Sequence, residues 1–324
     1  MQTRTNHLLS KAAALYPFDE STLLLIRSSI FSPNDVYAFS QDGKEYILRI
    51  ATHEEDHTDL TAAEMDWLSH LHREGVPVSL PLSMRDGRLV DSLRHGATHH
   101  AVCAFEKANG VPWNRDDPAV WNMAVCRDWG FTLGRLHRAA KSYCPANPLQ
   151  TRPVFDGGEA LHDSLWQAPA IRRIAETLVE ALLSLPRNRD TYGLIHNDFH
   201  HTNFFVDNGR VRVFDFDDSL YGYFAHDVGV SLYFALRFGL PDAEEKRQDA
   251  AEQILACFLE GYFTANTLDV NARKFIIDFM RYRQISDFAW EFDPVEKPLT
   301  EEQERLLEGG VVPGVRLTEK LFMI

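Results

Sequence analysis

Asp198, Asn203 and Asp215 are the residues of this 324-residue chain whose types and spacing point to chemistry. Asp198 stands in the polar loop His196–Thr202. Two short apolar runs follow, Asn203–Val206 and Val211–Phe214, joined by Asp207-Asn208-Gly209 with Arg210 opening the second. Asn-Gly between β-formers predicts a hairpin, because both turn positions tolerate positive φ. A hairpin returns the chain to near its start, so the spacing predicts that Asp198, Asn203 and Asp215 share one pocket. That trio suits phosphoryl transfer. One carboxylate can take the proton of an attacking hydroxyl, while an amide oxygen and a second carboxylate hold Mg2+ on nucleotide phosphates. A second chemistry stays open, a metal-dependent hydrolase with His196, Asp198, His200 and His201 as ligands. A third possibility is a nucleotide-binding chain without turnover.

The elements that must position these residues begin with an amphipathic helix in residues 1–20, apolar at Leu8, Leu9, Ala12 and Leu15 and ended by Pro17. Three strands are expected next, Leu23–Ser28, Asp35–Ser40 and Glu45–Ile50, the last two joined at Gln41-Asp42-Gly43. The first connection, Ile30-Phe31-Ser32-Pro33-Asn34, has no glycine; it is either a plain turn or a place where Ser32 and Asn34 approach phosphates. Arg49 interrupts the apolar strand Tyr46–Ile50, either as a solvent-facing edge charge or as a ligand for an anion. Thr58–Glu74 reads as a helix stopped by Gly75-Val76-Pro77. Its apolar residues Leu60, Trp67, Leu68 and Leu71 share a face with Glu64. A carboxylate on that face needs a cation, and Arg49 is the expected partner; the alternative is that Glu64 sits at the edge of the stripe.

Further strands are expected at Arg88–Ser92 and His99–Ala104, a long helix at Ala119–Lys141, and a connection over residues 144–160. A helical region at Leu161–Leu185, interrupted near Pro169, leads into the hairpin. Three helices follow it: Asp242–Ala265, Asp269–Phe288 and Glu301–Leu307. The second is expected to expose Arg281-Tyr282-Arg283, with Asp278, Asp287, Trp290 and Glu291 nearby. Those aromatic and acidic residues either enclose an amine or simply pack the helices.

A net charge of -14 excludes the basic surface that a nucleic-acid partner needs and mildly favours an amino-bearing substrate. Cys103, Cys126, Cys144 and Cys257 lack metal-ligand spacing and read as reduced thiols. Lys11 and Asp19 interrupt the only apolar stretch near the start, and no run approaches the roughly 18 to 20 residues that span a bilayer. A cytoplasmic protein without membrane association is expected. Oligomeric state is not encoded in these features.

His196, Asp198 and Asn203 form His-x-Asp-x-x-x-x-Asn, and Asp215 follows at the position of a metal-binding Asp. In these residues the chain resembles the aminoglycoside phosphotransferase and choline kinase superfamily, the small-molecule relatives of protein kinases. The resemblance implies an α+β, bilobal protein-kinase-like fold. A β-rich nucleotide-binding lobe would occupy residues 1–104 and a helical lobe residues 105–324. It implies transfer of the γ-phosphate of ATP, with Mg2+, to a hydroxyl of a small molecule; homoserine, choline or ethanolamine, a sugar and an aminoglycoside all suit the scaffold. Protein Ser/Thr kinase activity is an alternative of the same shape. By the same resemblance Asp198 is the catalytic base and Asn203 and Asp215 hold metal. Arg49, positioned by Glu64, binds nucleotide phosphates, and Phe105 to Lys107 supply the hinge at the adenine. Asp217 and His200 are candidates for substrate or a second metal. His137 and Asp227 are expected to be structural, Asp227 bracing the catalytic loop.

Overall fold

The computed structural model describes residues 2–16, 18, 20–29, 32–291 and 300–323. The chain divides into two compact units, Met1–Asn109 with Tyr143–Arg152, and Gly110–Ser142 with Pro153–Ile324.

The first unit holds α1 (Gln2–Leu15), β1 (Leu24–Ser29), β2 (Ser32–Gln41), β3 (Lys44–His53), α2 (Thr58–Arg73), β4 (Val90–His95) and β5 (Thr98–Glu106). The strands form one antiparallel sheet in the order β1-β2-β3-β5-β4. Asp42 and Gly43 both take positive φ, 52° and 76°, and make the two-residue hairpin between Gln41 and Lys44. Alternate residues Tyr46, Leu48 and Ile50 of β3 face a core shared with Tyr37, Phe39, Val102 and Ala104, closed by Ala12 of α1 and by Tyr16 just after it. The expected five-residue connection 30–34 is shorter. Ser29 pairs with Ser32 and Asn34 with Ala51, so Ser32 and Asn34 belong to β2, while Ile30 and Phe31 lie outside the described residues.

Helix α2 ends as its sequence predicts. Gly75 takes φ 73°, its N–H reaches the His72 carbonyl at 2.9 Å and that of Val76 reaches Leu71 at 2.9 Å. Residues 143–152 join this unit through polar contacts with α2. Asp66 accepts from the Tyr143 hydroxyl at 2.8 Å and the Ala146 N–H at 3.0 Å, and Arg152 donates to the Leu60 carbonyl at 3.0 Å.

The second unit contains β6 (Val111–Pro112), α3 (Met123–Ala140), α4 (Pro169–Leu183), β7 (Tyr192–Ile195), β8 (Phe204–Asp207), β9 (Arg210–Val213) and β10 (Leu220–Tyr223). Helices α5 (Phe224–Gly239), α6 (Arg247–Ala265), α7 (Val270–Arg273), α8 (Ile276–Glu291) and α9 (Glu301–Leu307) complete it. The small sheets are β6-β8-β9 and β10-β7. Helix α3 starts four residues later than expected because Asn122 caps it, accepting from the N–H groups of Ala124 and Val125 at 2.9 and 3.1 Å. Pro169 opens α4 at its first turn, where its missing N–H costs nothing, instead of interrupting it. Lys274 and Phe275 separate α7 from α8. Helix α5 has no counterpart in the sequence reading. Every residue from Phe224 to Leu236 is buried, so no polar face marks a helical period. Among the described residues, no helix is long and apolar enough to cross a membrane.

Helices α3 and α6 approach so closely that a Cβ on Gly261 would lie 1.9 Å from the Arg127 carbonyl oxygen. Gly261→Ala therefore forces the backbones apart. It is expected to lower the unfolding free energy by at least about 1–3 kcal/mol, read from the urea midpoint of the full chain.

Candidate functional site

The hairpin brings the predicted trio together. Strands β8 and β9 pair from Phe204 with Val213 to Asp207 with Arg210, turning at Asn208 and Gly209, both with positive φ. The Phe214 N–H then reaches the Asn203 carbonyl at 3.0 Å, so Asn203 lies opposite Phe214 and Asp215 is the next residue beyond the ladder. Asp215 takes φ 65°, a conformation that costs a non-glycine residue and is held only where surroundings enforce it. The Asn203 amide nitrogen donates to both the backbone and the Oδ2 oxygen of Asp198, each at 2.9 Å. A carboxylate only accepts, so the amide must present its NH2 group there, which leaves Oδ1 of Asn203 as the acceptor for another ligand. Oδ1 of Asn203 and the Asp215 carboxylate are the hard oxygen donors that Mg2+ takes from a protein when phosphates and water complete its shell.

Asp198 is held from both sides. Its Oδ2 lies 3.0 Å from Nε2 of His200, and its Oδ1 lies 3.0 Å from Nη2 of Arg283. Burial by itself would raise the Asp198 carboxyl, but the Arg283 guanidinium and the His200 hydrogen bond outweigh it. The group is held well below the usual carboxylate range and is ionised at neutral pH. Nearby Asp218 behaves oppositely and is pushed up to about 7. Lost hydration is its first cause, followed by repulsion from Asp198, Asp217, Asp215 and Glu159. The Asp218 side chain keeps open solvent, so part of its hydration survives and the four like charges help to sustain the shift.

The backbone of the loop hangs on Asp227. This fully buried carboxylate accepts the N–H groups of His196 and Asn197, each at 2.8 Å, and Nε2–H of His137 at 3.1 Å. The other ring nitrogen of His137 faces the Tyr262 hydroxyl at 2.8 Å. Burial lowers the His137 pKa, so the ring is neutral with Nε2 as donor. His137 and Asp227 thus support the loop. His196 uses Nε2 on the Phe214 carbonyl at 3.1 Å and Nδ1 to accept the Asp198 N–H at 3.3 Å. His201 packs against Trp113 and Phe238, and burial lowers its pKa to about 4. Among the described residues, no three His, Cys, Asp or Glu side chains are arranged to hold a metal, which removes the ligand set of the hydrolase reading.

In the first unit, Arg49 and Glu64 form a two-pronged ion pair. Nη1 donates to Oε1 at 3.0 Å and Nη2 to Oε2, with the side chains 5% and 1% exposed. The edge-charge reading of Arg49 and the rim reading of Glu64 are both excluded by this burial. The Arg49 guanidinium also lies 5.3 Å from the centre of the Phe105 ring. Phe105 pairs with Ile47 in the sheet. Lys107 donates its N–H to the Glu45 carbonyl at 3.2 Å and its Nζ to the Glu45 carboxylate at 2.8 Å. Of the other candidates, His200 touches Asp198, and Asp217 belongs to the carboxylate group around Asp218.

Helix α8 differs from its expected exposure. Tyr282 is buried at 1% and Arg283 turns inward to Asp198, while Arg281 is half-buried. Arg283 and Glu159 are the site residues that sequence reasoning missed, whereas Asp218 reads in the sequence, with Asp217, as a candidate for a second metal, a substrate amine or a turn cap. The i,i+4 pair Arg283–Asp287 was the only signal for the first, and surface helices carry many such pairs.

Residues 32–263 match the phosphotransferase enzyme family. Amicoumacin kinase of Bacillus subtilis (strain 168) is 31% identical over 282 residues, covering 86% of this chain and 82% of that protein. A solved amicoumacin kinase in complex with AMP-PNP, Ca2+ and Ami superposes with a TM-score of 0.83 at 26% identity over 95% of each chain. A microcompartment-associated aminopropanol kinase shares the fold, with a TM-score of 0.69 at 20% identity over 94% of this chain and 93% of that one.

Two outcomes follow from the charges. Glu64→Ala removes the carboxylate facing the buried Arg49 guanidinium and should cost about 3–5 kcal/mol, measured by urea unfolding. For Asp218, a folded pKa of about 7 against an ordinary 3.8 means a stability contribution fully present below 3.8 and lost as pH rises through 7. Asp218→Asn should remove that decline. In EDTA, the variant should gain on wild type between pH 4 and 8, read from urea midpoints (about the window set by the two pKa values).

Proposed function

The chain belongs to the phosphotransferase enzyme family, and from that membership we propose that it transfers the γ-phosphate of ATP to a hydroxyl of an amino-bearing small molecule. An acceptor of the amicoumacin type is the first candidate. The observation that carries the reading is the Asp198–Asn203 contact beside Asp215, set by the hairpin register. It supplies a carboxylate for the hydroxyl and oxygen donors for a cation within one short stretch. The relative of known structure was solved with AMP-PNP and Ca2+, which supports a nucleoside triphosphate with a divalent cation. Mg2+ is the cation we assign to this chain.

The acceptor oxygen attacks the γ-phosphorus while the bond to the β,γ-bridging oxygen breaks, giving the phosphate ester and ADP. Asp198 orients the hydroxyl and receives its proton. A carboxylate held well below its usual range is a weak base, so its contribution lies in placing the oxygen and taking the proton late. Asn203 and Asp215 would hold the divalent cation, which would supply charge neutralisation on the phosphates when bound. Arg49, locked by Glu64, presents a permanent positive charge to the nucleotide phosphates. Phe105 to Lys107 are assigned to the adenine edge.

The net charge of -14 and the carboxylates around Asp218 favour a cationic acceptor and disfavour nucleic acid. Protein substrates have no feature of this site in their favour.

An ATP-consumption screen over amicoumacin, aminoglycosides, amino alcohols, homoserine and sugars identifies the acceptor. Asp198→Ala should reduce turnover by about 10²-fold or more while Mg-ATP binding stays near wild type. Asp215→Ala should instead weaken metal-dependent nucleotide binding. Transfer by Asp198→Ala at the wild-type rate sinks the mechanism, and Mg-ATP binding with no turnover on any acceptor points to a non-catalytic nucleotide-binding protein.

A further inference from the structure

Arg283 contributes a charge to the site from a distant part of the sequence. It lies on α8, 85 residues after Asp198, yet its Nη2 stands 3.0 Å from Oδ1 of that carboxylate. The side chain is only 18% exposed. It is fixed on three sides. Asp287, one helical turn on, lies 2.9 Å from its Nε. Asp287 is itself tied to Arg237 of α5 at 3.1 Å, and Arg237 also donates to the Tyr233 hydroxyl at 2.6 Å. The third side is the ring of Phe234, whose centre is 5.0 Å from the guanidinium carbon. A planar, stacked guanidinium between two carboxylates has little freedom, so whatever it touches is placed with it.

The two oxygens of Asp198 are engaged unequally. Oδ2 accepts from Asn203 and contacts His200. Oδ1 is buried and makes no hydrogen bond of good geometry, although Arg283 is beside it. The guanidinium beside Oδ1 therefore fixes the rotamer of the whole carboxylate. The arrangement suits a carboxylate that must receive one more O–H.

We propose that Arg283 is the positioning residue for Asp198, holding its carboxylate in the rotamer that serves the acceptor hydroxyl and tying the catalytic loop to helices α5 and α8. This rests on the kinase reading above. Arg283 stabilises the ionised carboxylate and fixes its rotamer; the proton still passes from the acceptor to Asp198. Neither the nucleotide nor the cation needs Arg283, so its loss acts on the acceptor step.

The test compares Arg283→Met, Arg283→Lys, Asp198→Asn and the double variant Arg283→Met/Asp198→Asn, with amicoumacin as acceptor and Mg-ATP as donor. Arg283→Met should lower kcat by about 10²-fold with KM for ATP nearly unchanged, the cost of misplacing one catalytic group. Arg283→Lys, which keeps the charge without the planar fork, should recover about tenfold of that loss. The double variant should fall no further than Asp198→Asn, because two residues acting through one step are not additive. A purely structural Arg283 would instead add its loss to that of Asp198→Asn and raise KM for ATP as well, and either result overturns the proposal. So does a kcat for Arg283→Met within about threefold of wild type. Should Arg283→Met lose Mg-ATP binding through misfolding, Arg283→Lys decides: wild-type kcat there overturns the proposal, and a tenfold loss at unchanged KM for ATP supports it. If wild type does not phosphorylate amicoumacin, the acceptor assignment has failed. The same comparison is then read on slow Mg-ATP hydrolysis, with water as the acceptor.

Discussion

The buried carboxylate of Asp227 is the fixed point of the second unit. Its two oxygens take the backbone N–H groups of His196 and Asn197, and one of them also takes the His137 ring. A charge with no exposure survives only when donors surround it, and here three donors come from two parts of the chain, the catalytic loop and α3. The loop cannot move without leaving that charge unsatisfied. Asn197 is consequently held at φ 71°, and Asp198, next in the chain, inherits a fixed backbone. The site is rigid because breaking its support costs more than any single side-chain contact could return.

On that support the site sets carboxylates against few cations. Asp198, Asp215, Asp217 and Glu159 all act electrostatically on Asp218, and Arg283 is the guanidinium on which Asp198, Asp218 and Glu159 act. Asp198 and Asp218 consequently diverge, one held down by its cation and hydrogen bond, the other pushed up to about 7 by burial and its neighbours. Divergence of this kind gives groups of the same type different tasks at one pH. A bound divalent cation or an acceptor ammonium would relieve the same repulsion.

Local signals were strong wherever one physical cause acts over a few residues. Asn208-Gly209 predicted the hairpin, Asp42-Gly43 the β2–β3 turn, and Gly75 the end of α2. Glu64 among apolar residues predicted its ion pair with Arg49 across fifteen residues, because a buried carboxylate must find a cation. Helix α5 escaped because it is buried on all sides from Phe224 to Leu236, so its polar residues mark no exposed face and no period. The inward turn of Tyr282 and Arg283 escaped because α8 presents polar residues on several faces, and only packing selects which ones are covered.

The sequence by itself determined the trio Asp198, Asn203 and Asp215, the hairpin that aligns two of them, the Arg49–Glu64 pair and the α+β kinase-like class. The kinase-like class came from the family resemblance carried by His196, Asp198, Asn203 and Asp215; the hairpin and the ion pair follow from short-range backbone preference and from the cost of burying one charge. Tertiary structure alone decided that Arg283 faces Asp198, that Asp218 sits among four other carboxylates, and that Tyr143–Arg152 packs with α2. Those contacts join residues that no local rule relates. They depend on where whole helices come to rest, and that is set by the sum of many buried contacts.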